Sequence, residues 1–169
     1  MIHVETAVEE PWPEADWEAL ASRAVAAALA TSPYAGIARA RYTAEVSVLF
    51  TSDEEVRTLN REYRQKDKPT NVLSFPMVQA DMIEGLTNSD DGEVLLGDIV
   101  LAYGVTAAEA AEKHASIADH ATHLIVHGLL HLLGYDHEQG EAEADHMEEL
   151  ERAALATLGI ADPYVVREA

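Results

Sequence analysis

The order of apolar and polar positions along the chain predicts four strands. Apolar and polar residues alternate in the first two, which is the period of a strand with one buried face. The third ends at Pro76, and the fourth is a nearly continuous apolar run broken only by Gly97 and Asp98, as expected of a buried strand. The predicted strands span residues 2–6, 43–50, 71–75 and 94–102, and the first is predicted to be a short edge strand.

Apolar residues at helical spacing predict five helices. Ser52 with Glu55, and Thr106 with Glu109, resemble capping boxes, in which a hydroxyl and a carboxylate satisfy free N–H groups at a helix start. Tyr63, near the end of the second helix, is predicted to face inward. The predicted helices span residues 14–31, 52–63, 106–114, 116–133 and 140–158.

These elements predict an α+β fold, a small mixed four-stranded sheet covered by about five helices. Residues 79–93 are rich in Asp, Gly, Asn and Ser and show no sustained periodicity. They are predicted to form a loop rather than a domain boundary, because too little chain lies on either side to fold separately. The 169 residues are therefore expected to form a single domain, 1–169.

Composition restricts the chemistry of any metal site. The chain has no cysteine, which excludes disulfides and thiolate ligands and leaves histidine and carboxylate. No secretory signal and no apolar stretch of bilayer length is visible, so we expect a cytoplasmic protein without a membrane partner.

The net charge of −20 argues against a nucleic-acid partner, but the basic residues are unevenly distributed. Five of the 11 lie in one twelve-residue stretch: Arg57, Arg61, Arg64, Lys66 and Lys68. A local cationic patch can bind phosphate on an acidic protein, since distant charges are screened beyond about 8 Å. Charge alone favours a solvated helix face, so composition does not settle the substrate.

Three histidines, His127, His131 and His137, form the most informative pattern. Residues four apart share one face of a helix, so the first two can point their imidazoles at one ion. Gly134 permits a sharp turn with positive φ that can bring His137 back to the same ion. Three imidazoles leave a tetrahedral Zn²⁺ one open position, which is typical of a catalytic site. We therefore predict one Zn²⁺ per chain, although Ni²⁺, Cu²⁺ and Co²⁺ accept the same ligands.

For two neighbouring residues, His123 and Asp136, the sequence gives weaker evidence of a part in metal binding. His123 lies one turn before His127 and is predicted to support the ligands rather than to bind the ion itself. Asp136 either orients a ligand or caps the turn, and the sequence does not separate the two. The simplest alternative for all these histidines is burial in the core with ordinary hydrogen bonds, but burying three polar rings without a shared purpose is costly.

The spacing also matches the zinc-protease pattern His-Glu-x-x-His-x-x-Gly-x-x-His, so the histidines are predicted to lie on a zinc-protease-like helix. Position 128 is glycine where those proteases place their general-base glutamate. Without that carboxylate, the usual mechanism lacks its proton carrier. Peptide hydrolysis is therefore the weaker interpretation.

The run His127–His137 resembles the signature of the YbeY family of bacterial endoribonucleases and rRNA maturation factors. Further segments are similar to other blocks of that family and cover about residues 45 to 164: Leu59-Asn60, Tyr63-Arg64, Lys66-Asp67, Pro69–Pro76, Leu96–Ile99 and Asp162–Tyr164.

The resemblance implies a metal-dependent endoribonuclease that processes ribosomal RNA, notably the small-subunit 3′ end, and acts in ribosome quality control. It implies ligation by His127, His131 and His137 and a functional role for Arg64, whose guanidinium can bind phosphate. Lys66 and Lys68 are then expected to position the RNA backbone. Pre-ribosomal particles, with ribosomal proteins or assembly factors, are the implied partners. A non-enzymatic assembly factor with a structural metal remains the alternative.

Overall fold

The computed structural model of the chain describes residues 1–78, 93–135 and 140–164. Within this part of the chain, four strands and five α-helices occur, and the predicted α+β class is confirmed. A short 3-10 helix, Ala35–Arg39, lies between the first helix and the second strand. The strands are β1 (Ile2–Val8), β2 (Thr43–Thr51), β3 (Val72–Pro76) and β4 (Glu93–Ala102), and the helices are α1 (Trp17–Thr31), α2 (Asp53–Arg64), α3 (Tyr103–Glu112), α4 (Ile117–Leu132) and α5 (Glu141–Thr157).

The sheet has the strand order β1-β2-β4-β3. β1, β2 and β4 run parallel, and β3 runs antiparallel to β4. The predicted edge position of β1 is confirmed, and β3 forms the other edge. Gly97 of β4 pairs with Pro76 at φ +149°, where a Cβ would overlap the carbonyl oxygen of Phe75. Glycine at 97 therefore lets the edge strand approach β4 closely.

The helices divide between the two faces of the sheet. One face carries the main core, where alternate residues of β2 (Val46, Val48 and Phe50) share one hydrophobic cluster with residues of α1, α4 and α5. α5 packs on α1 and α4 rather than on the sheet. The other face carries a smaller cluster in which Val56 of α2 packs on β3 and β4. α4 lies over β3 and β4, so its polar residues come near the β3 edge.

Ser52 caps α2 as predicted, since its hydroxyl accepts from the backbone N–H of Glu55 at 3.2 Å. The second predicted capping box, at Thr106, is wrong. α3 begins at Tyr103 directly after β4, so Thr106 lies inside the helix and is buried. The first turn is instead capped from α2, because the Asp53 carboxylate accepts from the backbone N–H of Val105 at 3.2 Å.

The predicted inward orientation of Tyr63 is also wrong, because its side chain is 69% exposed. Val56 and Asn60 occupy the buried side of α2. The Tyr63 ring contacts the Phe75 ring of the edge strand, and no further strand of the described sheet lies beyond β3.

None of the helices in the described ranges combines the length and the apolarity needed to cross a bilayer.

Candidate metal centre and cationic groove

His127 and His131 lie one turn apart near the C-terminal end of α4, and both are half-buried. Their Nε2 atoms are 3.1 Å apart and their ring centroids 4.6 Å apart. Gly134 ends the helix with φ +100°, as the sequence predicted, and the backbone N–H of Tyr135 donates to the carbonyl of Leu130. The chain therefore turns sharply just beyond the histidine pair.

The separation of the two Nε2 atoms fits a shared ion. Two nitrogens at 2.0–2.1 Å from a tetrahedral Zn²⁺ are about 3.3 Å apart, close to the spacing of this pair. The third predicted ligand, His137, and its neighbour Asp136 lie outside the described residues. In the ranges that the structure describes, no group of three His, Asp or Glu side chains is arranged to hold a metal ion. The predicted three-ligand set therefore depends on His137, which lies beyond those ranges.

A carboxylate that the sequence did not single out, Glu151 of α5, contacts His127 through the ring nitrogen that does not face His131. Its Oε1 lies 3.1 Å from Nδ1 of His127 and 2.8 Å from Nε2 of His123. The Tyr164 hydroxyl donates to both carboxylate oxygens at 3.0 Å. When His127 donates from Nδ1, its Nε2 carries the lone pair and faces His131. This is the tautomer that a metal-ligating histidine needs.

Glu151 is buried and ionised. Burial by itself would raise the pKa of Glu151, but hydrogen bonds from His123 and His127 outweigh it and lower the pKa to about 2. Burial and the adjacent Glu151 charge raise the pKa of Tyr164, which keeps its hydroxyl as a donor. The cluster is thus one anion surrounded by donors.

The sequence did contain a signal for Glu151. Met147, Ala154 and Leu155 form the buried stripe of α5, and Glu151 occupies the same stripe at 1% exposure. A carboxylate in an apolar stripe needs a partner, because a buried charge without one is costly.

His123 supports the cluster rather than joining the histidine pair. Its side chain is 8% exposed, and its Nε2 is directed to Glu151 and, at 3.3 Å, to the Tyr164 hydroxyl. Its Nδ1 is buried and has no hydrogen-bond partner among the described residues. Its supporting role at a metal site stays a prediction.

A groove of about 680 Å³ joins the histidine pair to the basic stretch after α2. One wall is α4 and the turn after it, and the other is the edge strand β3 with the segment that precedes it. Three cationic side chains line it together with the histidines, and the lining includes Arg64, Lys66, Lys68, Asn71, Ser74, His127 and His131.

The five basic residues of the predicted cluster therefore divide into two groups. Arg57 and Arg61, on the outer side of α2, pair with Asp67 at 2.9 and 3.9 Å and do not line the groove. Arg64, at the end of the helix, donates to the carbonyl oxygen of Ser74 and lies 5.6 Å from the Phe75 ring centroid. This brings its guanidinium to the edge of the sheet.

A tight turn presents the two lysines to the groove. α2 ends at Gln65 in the left-handed conformation, φ 60°, and the backbone N–H of Lys66 donates to the carbonyl of Asn60. The side-chain amide of the buried Asn60 also donates to the carbonyl of Lys68 at 2.9 Å. Both lysine side chains are exposed, and neither forms an ion pair within the described part of the chain.

The packing around Gly128 leaves no room for the glutamate that zinc proteases carry at this position. A Cβ at this position would lie 3.0–3.3 Å from the side chain of Ile99 in β4, so position 128 faces the sheet and not the groove. We expect Gly128→Glu to lower the free energy of unfolding by at least about 2 kcal/mol, through overpacking and burial of a charge. Urea unfolding measures this. Gly36→Glu adds the same charge where a Cβ has open space, and an equal loss there would contradict the packing argument.

The family model of the endoribonuclease YbeY matches residues 3–159 of the chain. The chain belongs to the YbeY family. The resemblance found in the histidine signature is therefore confirmed over nearly the whole sequence.

Individual YbeY relatives match at high identity. The chain is 66% identical to the endoribonuclease YbeY of Rhizorhabdus wittichii over 170 residues, which cover 99% of both chains. It is 61% identical to that of Sphingopyxis alaskensis over 97% of this chain and 98% of the relative. It is 51% identical to the endoribonuclease YbeY of Novosphingobium aromaticivorans, over 98% of this chain and 97% of the relative.

A solved structure shares the fold. The solution structure of TM1509 from Thermotoga maritima matches with a TM-score of 0.54, covering 94% of this chain and 92% of that one. The two sequences are 19% identical, so this likeness supports the α+β architecture alone.

Proposed function

We propose that this protein is a metal-dependent endoribonuclease that cleaves single-stranded RNA. The main supporting observation is that Arg64, Lys66 and Lys68 line the same groove as the histidine pair. A strongly acidic chain that gathers three cations in one groove is suited to bind a polyanion there. Membership of the YbeY family supports RNA as that polyanion.

The residues in and behind this groove would have different roles in binding and cleaving the RNA. Lys66 and Lys68 would position the RNA backbone as point charges. Arg64 would bind oxygens of the scissile phosphate and stabilise the charge that develops there, because its planar guanidinium offers paired donors. Glu151 would orient His127 without touching the substrate.

His127, His131 and His137 would hold one divalent ion, which we propose to be Zn²⁺. When bound, such an ion supplies Lewis-acid polarisation of a phosphoryl oxygen. The attacking group is either water or the 2′-hydroxyl of the RNA. Analysis of the product ends separates the two, since a 2′,3′-cyclic phosphate arises only from attack by the 2′-hydroxyl.

The cellular substrate that we propose is ribosomal RNA. The resemblance of the sequence blocks to YbeY supports maturation of the small-subunit rRNA 3′ end and a role in ribosome quality control. Pre-ribosomal particles in the cytoplasm would then be the site of action, with ribosomal proteins or assembly factors as neighbours.

Arg64 provides the direct test. We expect Arg64→Ala to lower kcat/KM for a single-stranded RNA roughly 100- to 1000-fold, the loss typical of a preorganised donor to developing charge. Arg64→Lys should recover only part of it, because lysine keeps the charge and loses the paired geometry. Cleavage of an end-labelled oligonucleotide by purified protein measures both.

Arg61→Ala is the matched control, since Arg61 lies one turn earlier on α2 and pairs with Asp67 outside the groove. It should cleave at the wild-type rate, and equal melting temperatures would show that the variants are folded. If wild-type, Arg64→Ala and Arg61→Ala proteins cleave alike, the activity is a contaminant and the assembly-factor alternative is favoured.

A further inference from the structure

The exposed ring of Tyr63 is the most conspicuous feature that the proposed cleavage site leaves unexplained. At 69% exposure it is the most exposed of the large apolar side chains in the described ranges. Its ring meets the Phe75 ring at a centroid distance of 5.6 Å and an angle of 68°. An edge-to-face contact of this kind uses only part of each ring, so most of the Tyr63 surface stays open.

The ring lies beside the cationic groove. Tyr63 directly precedes Arg64, and the Arg64 guanidinium lies over the same Phe75 ring at 5.6 Å. Arg64 also donates to Ser74, which lines the groove from the neighbouring position of β3. Since successive strand residues point to opposite faces, Ser74 faces the groove and Phe75 faces the α2 side. The Arg64 side chain therefore bridges the β3 edge between the groove and the two rings.

The apolar patch continues along the edge. Met77, directly after the end of β3, is 59% exposed. Tyr63 and Phe75 thus form an aromatic platform, the name used below, at the border of a cationic groove. A phosphate next to a flat apolar surface is the repeating chemistry of single-stranded nucleic acid.

We infer that the aromatic platform stacks one unpaired nucleobase next to the phosphate held by Arg64, with Tyr63 as the stacking residue. This inference rests on the proposed function and names the form of its substrate. An RNA strand crossing the β3 edge at Arg64 places its phosphate in the groove and a flanking base over Tyr63. A base inside a duplex cannot stack in this way, so the platform selects single strands. Stacking tolerates every base, and the selection does not depend on sequence.

The test separates binding from chemistry. For a short unstructured RNA cut at one position, we expect Tyr63→Ala to raise KM about 5- to 100-fold, the range of one lost base stack. The value of kcat should change little, because Tyr63 does not face the reacting phosphate. Tyr63→Phe and Tyr63→Trp should keep the wild-type KM. Val8→Ala, at an exposed apolar position (45%) on the opposite edge strand, is the control and should also match wild type.

Abasic substrates identify the stacked base. In one of a series of RNAs that each lack a single base near the cut, loss of the base should raise the wild-type KM as much as Tyr63→Ala does. The same abasic site should add little to the KM of Tyr63→Ala, because the two changes remove one contact.

The outcomes distinguish the two proposals. If wild-type protein cleaves and Arg64→Ala does not, while Tyr63→Ala matches Val8→Ala, the stacking inference is overturned and the endoribonuclease proposal stands. Independent, multiplicative effects of Tyr63→Ala and every abasic site would also overturn the stacking inference. If wild-type protein neither cleaves nor binds the RNA, both fall.

Discussion

His131→Ala should lose both the bound metal and the cleavage of RNA. His131 and His127 present their Nε2 atoms to one another at 3.1 Å, and each would supply one of three ligands. If the ion contributes several kcal/mol of charge stabilisation, taken as about 4 kcal/mol, its loss lowers kcat/KM roughly 1000-fold. Elemental analysis of protein purified without added metal should find about one ion per wild-type chain and far less in the variant.

The control for this variant is His3→Ala. His3 lies on the edge strand β1, and its side chain is 53% exposed. It should retain metal content and activity, which excludes general loss of a histidine as the cause. Full activity in a His131→Ala protein that lacks metal would refute the metal-dependent mechanism. Loss of folding without any difference in cleavage would favour a structural metal in an assembly factor.

Glu151→Gln is expected to weaken metal binding by about 10- to 100-fold, as is typical when the carboxylate behind a ligating histidine is removed. Glutamine keeps the size of the side chain but removes the charge that fixes the His127 tautomer. Competition with a chromogenic zinc chelator measures the affinity. The fall in cleavage should be reversed by raising the metal concentration, since Glu151 does not touch the substrate.

Glu149→Gln is the matched control, because Glu149 lies on the exposed side of the same helix. It removes the same charge and should leave metal affinity at the wild-type value. Equal losses in the two variants would show that Glu151 acts only through the overall charge of the protein. Metal that fails to rescue a folded Glu151→Gln protein would contradict a purely orienting role.

The cluster around Glu151 links the histidine centre to the end of the described chain. Tyr164 lies beyond α5, and the backbone carbonyl of its neighbour Pro163 accepts from Lys113. Since Tyr164 also donates to Glu151, the segment after the last helix helps to hold the carboxylate that holds His127. The Asp162–Tyr164 similarity noted in the sequence therefore has a structural reason.

Local sequence was sufficient wherever neighbours along the chain decide the structure. The four-residue spacing of His127 and His131 places both rings on one face of any helix, and Gly134 permits the positive φ that ends it. Ser52 caps α2 through an N–H only three residues away. The first two strands followed from the alternation of their apolar residues, and β4 followed from its nearly continuous apolar run, because both of its faces are buried.

Contacts between distant segments could not be obtained in this way. Asp53 caps α3 from another helix, so a local capping box at Thr106 was the wrong expectation. Tyr63 has the spacing of an inward residue, but the sheet ends at β3, so its ring is exposed to solvent instead of covered by a further strand. The sequence could not distinguish Arg64 from Arg57 and Arg61, because the tertiary structure decides which side of α2 lines the groove.

The histidine helix, the strand pattern and the YbeY blocks were thus determined by the sequence itself, through rules that act within a few residues. Only the tertiary structure placed Glu151 behind His127, 24 positions earlier in the chain, and brought Arg64 across the β3 edge to the same groove. These contacts depend on how helices pack on the two faces of a sheet, and that packing is set by the whole core.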